Sequence, residues 1–99
     1  DWFDKNPSPF PINIICHNDT MALSVMALIY QRGLRIPEDV TVSGYDDIES
    51  AETFGLSTVR VATEQIGLLA AEKAMRLLKY EDTDLITTVD TRVVKRTSF

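Results

Sequence analysis

Cysteine and histidine are nearly absent from this 99-residue chain, with Cys16 and His17 their only representatives. A single cysteine excludes an internal disulfide framework and fits a reducing compartment. One of each also excludes the common structural zinc sites. Glycine is sparse as well. Gly33, Gly44, Gly55 and Gly67 lie eleven or twelve residues apart, so no glycine-rich phosphate loop exists. The longest apolar run, Met21 to Tyr30, is broken by Ser24 and falls short of the roughly 20 residues of a membrane span. Positive charge is the minority: ten Lys and Arg against fifteen Asp and Glu give −5, no electrostatic footprint for nucleic acid.

The catalytic patterns are missing too. No G-x-S-x-G motif occurs, and strand neighbours point to opposite faces, so Cys16 and His17 cannot pair as thiolate and imidazole. Cys16 reads as a small buried hydrophobe and His17 as a partly solvated strand-end residue. Met21, Met26 and Met75 read as core packing. No enzyme activity, cofactor or metal is expected. What is present is 44% hydrophobic and 25% charged residues, an ordinary globular balance that argues against a disordered tail. The length allows one small domain. The chain starts at Asp1 without a targeting pattern, and is expected to be a piece of a longer polypeptide.

Residues 1–11 hold Pro7, Pro9 and Pro11 and read as an extended lead-in. Ile12 to Cys16 is a β-branched run fit for a strand buried on both faces. Asn18, Asp19 and Thr20 start a helix that runs to Arg32 and stops at Gly33. It is apolar almost all round, so it asks for burial on two sides. Ala22, Val25, Met26 and Ile29 are therefore expected at a dimer contact. Pro37 marks a turn, and Val40 to Tyr45 a second strand closing at Gly44. Asp46 and Asp47 follow at its end and read as turn caps, before an acidic loop over 48–56. Ser57 to Val61 forms a third strand. Thr63 is expected to cap a helix over 63–79, with Ile66, Ala70, Ala74 and Leu77 as its stripe and Leu69 and Leu78 beside it. Val89 to Lys95 closes the chain as a last strand. The order predicts an α/β fold: an open, mostly parallel sheet with flanking helices, β-α-β-β-α-β. Ligands of such sheets bind outside the carboxyl ends of the strands, where Asn18-Asp19 and Asp46-Asp47 both sit.

The residues Asn18-Asp19-x-x-Ala22, then Gly33 through Asp47 with Ile36-Pro37-Glu38-Asp39-Val40 and Gly44-Tyr45-Asp46-Asp47 inside it, form an ordered series. Leu56-Ser57-Thr58-Val59, Gly67 and Arg92 to Ser98 continue it. From about residue 12 to 99 the chain resembles the carboxyl-terminal part of the effector-binding domain of Lac repressor/Gal repressor-type regulators. The resemblance implies a fragment of a periplasmic-binding-protein-like type I fold, two lobes around a cleft. In it, residues 12–61 and the last strand would belong to one lobe and helix 63–79 to the other. It implies a cytoplasmic, dimeric regulator whose operator-binding headpiece lies upstream, with a small effector such as a sugar or sugar phosphate in the cleft and no membrane partner. Asp19 would accept effector hydroxyls, with Asn18, His17 and Val61 as further ligand positions. Val61 stands where the family often has glutamine, Cys16-His17 where small residues are usual, and Phe54-Gly55 where proline is usual. A periplasmic sugar carrier of the same fold is the alternative.

Overall fold

The computed structural model describes Lys5 and residues 12–99, so the expected extended lead-in over 1–11 lies, Lys5 apart, outside the described residues. Seven elements follow in order: β1 (Ile12–Ile15), α1 (Asp19–Gln31), β2 (Val40–Ser43), α2 (Glu49–Thr53), β3 (Thr58–Val61), α3 (Thr63–Leu78) and β4 (Thr91–Val94). They divide between two compact units, Asp1–Arg60 with Val93–Phe99, and Val61–Arg92.

In the first unit β1 and β2 pair in parallel, from Ile12 opposite Val40 to Ile15 opposite Ser43. Single parallel bridges join Ser43 to Ser57 and Asp46 to Arg60. The chain end runs beside β2: Val42 N donates to Ser98 O at 2.9 Å, and the buried Ser98 Oγ donates to Val42 O at 2.6 Å. Strands β3 and β4 form a separate two-stranded sheet.

Helix α1 covers one face of β1–β2. Ala22, Met26 and Ile29 repeat at helical spacing and are buried with Cys16, Val40, Val42, Ala51 and Leu56. Burial of each large member contributes about 1.5–3 kcal/mol. The residues expected at a dimer contact pack into this core. Ala22 and Ile29 have no exposed surface, Met26 nearly none, and half-buried Val25 packs against the same core. The outward apolar residues are instead Met21, Leu28 and Tyr30, each about half exposed. The expectation of a doubly buried β1 also gives way. Its residues alternate, and Ile15 is 84% exposed on the face that α1 does not cover.

Gly33 ends α1 as its pattern predicts. At φ +72 its N–H reaches Tyr30 O, and Leu34 N reaches Ile29 O, a Schellman closure. Arg35 and Asp39 clasp the next turn through three hydrogen bonds, which hold the Asp39 carboxyl at about 2. Helix α2 replaces part of the acidic loop; at five residues it is too short to show a period, and only Ala51 is buried.

The second unit carries α3, none of whose residues is buried. The stripe residues Ile66 and Leu77, and the flanking Leu78, are exposed. Met75, expected in a core, is exposed as well. Thr63 lies inside the first turn, and Ala62 is the cap residue, without a side-chain bond. Glu64 at the start and Arg76 at the end complement the helix dipole.

Candidate functional site

The carboxyl ends of β1 and β2 bring Asn18, Asp19, Asp46 and Asp47 into one region, because parallel strands in register end together. Asn18 caps α1 with an extended backbone, its Oδ1 accepting from Met21 N at 2.9 Å. Its Nδ2 donates to no described residue. His17 is exposed beside it.

Asp19 has no exposed surface. Its Oδ2 accepts from Ile48 N at 2.9 Å and its Oδ1 from Thr58 Oγ1 at 2.6 Å. Its own N–H reaches Tyr45 O at 3.0 Å. The carboxylate thus ties the start of α1 to the approach to α2 and the start of β3, while the backbone N–H of the same residue ties it to the residues just after β2. Gly44 is required beside it, since a Cβ there would collide with Asp19 Oδ1. Asp19, expected to accept effector hydroxyls, is buried here, and each of its oxygens already accepts one hydrogen bond from the chain. Val61 lies in the second unit, half-buried at the end of β3, and offers only apolar surface.

Asp46 and Asp47 divide sharply. Asp46 is exposed, with φ +110, its N–H held by Val59 O at 2.9 Å and its carboxylate without a partner among the described residues. A non-glycine residue there is strained, and such outliers cluster at functional sites. Asp47, at φ +58, has a side chain only 5% exposed and meets Arg60 Nε at 2.5 Å and Arg96 Nη1 at 2.9 Å. Burial opposes ionisation of Asp47, but the hydrogen bonds and charges of the two arginines prevail and hold its carboxyl below the ordinary value. The sequence pattern predicts turn caps at both aspartates. The available signal was their place directly after a strand, while their separate roles depend on partners far along the chain.

A hollow of about 240 Å³ opens at the same strand ends, with His17 and Tyr45 among its polar lining and Ile15, Val93 and Phe99 among its apolar walls. On α1's outer side a groove of about 290 Å³ is lined by Leu23, Met26, Ala27, Tyr30 and Phe54. Among the described residues no group of three His, Cys, Asp or Glu could hold a metal ion. Nor is any helix among them long and apolar enough to cross a membrane.

Residues 1–99 match the family model for the periplasmic binding protein-like domain. The chain is 43% identical over 85 residues to the HTH-type transcriptional repressor PurR of Vibrio vulnificus, covering 84% of this chain and 24% of that protein. Among solved structures it is similar to a sugar-binding transcriptional regulator of the LacI family from Escherichia coli, complexed with phosphate. That match has TM-score 0.76 and 27% identity, and covers 88% of this chain and 32% of the other. It is also similar to the lac repressor dimer bound to operator and the anti-inducer ONPF, with TM-score 0.80 and 28% identity over 89% of this chain and 27% of the other. The chain spans about a quarter of the length of the repressor relative. The relatives so named are regulators rather than enzymes. With its α/β order, parallel β1–β2 pair and a match over its whole length, the chain belongs to the periplasmic-binding-protein-like family, in the form found in Lac repressor/Gal repressor-type regulators.

Proposed function

We propose that this chain is the effector-sensing and dimer-forming region of a DNA-binding transcriptional regulator that works in the cytoplasm. The observation that carries the reading is the similarity of most of the chain to a named repressor, at 43% identity. The sugar-binding relative and the operator-bound dimer support it further, and favour it over a periplasmic carrier. Contact with operator DNA is assigned to polypeptide outside these 99 residues, in keeping with the net charge of −5.

The effector is a small molecule rich in hydroxyls, a sugar or sugar phosphate, held at the ends of β1 and β2. Its main acceptor is Asp46 rather than Asp19, since Asp46 alone of the two presents an exposed carboxylate without a partner among the described residues. A carboxylate accepts from two neighbouring hydroxyls, while Asn18 Nδ2 donates to a sugar oxygen. His17 adds a second polar contact. Effector binding then shifts the population of lobe arrangements in the parent protein and so its affinity for operator. The dimer contact is the outward face of α1 with α2, around the groove of Leu23, Ala27, Tyr30 and Phe54.

The test uses the full-length parent polypeptide in a thermal-shift series with D-glucose, D-galactose, glucose 6-phosphate and hypoxanthine. At least one sugar or sugar phosphate is expected to raise the melting temperature. Asp46→Asn should then weaken that binding by about ten- to a hundred-fold, the worth of one charge-assisted bond, with little change in melting of the free protein. A response to hypoxanthine alone overturns the sugar assignment, and full affinity in Asp46→Asn overturns the site.

A further inference from the structure

The chain leaves the first unit after Arg60 and returns to it at Val93. Asp47 grips both sides of that excursion. Its Oδ2 accepts from Arg60 Nε at 2.5 Å, and its Oδ1 from Arg96 Nη1 at 2.9 Å. Arg96 Nη1 also donates to Leu56 O at 2.9 Å, and Arg96 N donates to Ser57 Oγ at 2.8 Å. On the neighbouring residue, Asp46 N holds Val59 O at 2.9 Å.

Two features separate this cluster from an ordinary surface ion pair. The Asp47 side chain is 5% exposed and that of Arg96 14%, so water and salt screen the pair weakly. The two arginines come from opposite sides of the excursion, whereas Arg35 and Asp39 form a local pair within one turn. A carboxylate that served as a turn cap alone would need neither arginine.

We propose that Asp47 is a positioning residue: through Arg60 and Arg96 it anchors the outgoing and the returning chain on the end of β2. Flexing of the two connections is thereby confined to residues beyond Arg60 and before Val93. Hinges absorb their change at a few element-terminal positions, and an anchor of this kind decides which positions those are. The inference goes beyond the effector reading and does not depend on it, since it rests on the ion-pair geometry of the first unit alone.

Hydrogen exchange followed by mass spectrometry on the full-length polypeptide tests it without any ligand. In Asp47→Asn, peptides covering 44–47, 57–60 and 93–97 should exchange about tenfold faster or more, as expected for loss of charge-assisted bonds, while those covering β1 and α1 stay unchanged. Should Asp47→Asn not fold, Arg60→Gln decides the matter, because Arg60 is half exposed and its removal strands no deeply buried cation. That variant should loosen 57–60 and leave β1 and α1 as they were, and Arg60→Lys, which keeps the charge, should restore slow exchange. Equal acceleration in β1 and α1 would mean general destabilisation and overturn the anchor. Unchanged exchange at 57–60 overturns it too, as does a lysine variant as fast as the glutamine one.

Discussion

At the scale of single residues, Asp19 and Asp46 show how one residue type takes opposite roles. Asp19 has no contact with solvent and satisfies two donors, Ile48 N and Thr58 Oγ1. Removing an acceptor from such a place leaves the buried Thr58 hydroxyl and the half-buried Ile48 N–H without it. Asp19→Ala is therefore expected to destabilise the parent polypeptide by about 2 kcal/mol or more, read as a lower urea midpoint with an unchanged slope. Asp46 has no such obligation, so the same substitution there should leave the midpoint within about 0.5 kcal/mol. An Asp19→Ala midpoint equal to that of the parent would show that its two bonds contribute nothing to folding.

At the scale of elements, α1 has two apolar sides with different duties. Ala22, Met26 and Ile29 face β1–β2 and form the core, while Ala27 and Tyr30 line the outer groove with Phe54. Two alanines on one helix thus make a paired test. Ala22→Glu puts a charge into a site with no exposed surface, where no partner exists to offset its desolvation, and should abolish folding. Ala27→Glu puts the same charge on the proposed contact and should give a folded monomer. Circular dichroism separates the first outcome and sedimentation the second; a dimeric Ala27→Glu places the contact away from this groove.

At the scale of the molecule, much apolar surface is exposed among the described residues. No residue of α3 is buried, and Ile66, Leu68, Met75, Leu77 and Leu78 are all exposed. Ile15 and Val93 are exposed in the first unit. Covering one such side chain is worth about 1.5–3 kcal/mol, a large share of a small domain's stability. The isolated 99-residue chain is therefore expected to self-associate or exchange segments at micromolar concentration, and light scattering checks it. A cooperative monomer at high micromolar concentration would show that α3 finds cover within its own chain.

The local content of the fold was legible in the sequence. A helix start among Asn18, Asp19 and Thr20, Gly33 as the closing residue, the β2 alternation and the order of strands and long helices all rest on interactions within a few residues, which composition and spacing record. So did the ordered motifs that carry the family resemblance. Helix α2 escaped because one turn leaves no period to read. Which side of α1 faces inward was not legible either, since both sides are apolar and only the position of β2 chooses between them. The same holds for the three aspartates at the strand ends. Burial of Asp19 depends on Thr58, 39 residues away, and the pairing of Asp47 on Arg60 and Arg96 from two further segments. Solvent exposure and charge pairing are properties of the packed chain, so tertiary structure alone decided which aspartate stays exposed and which are buried or paired.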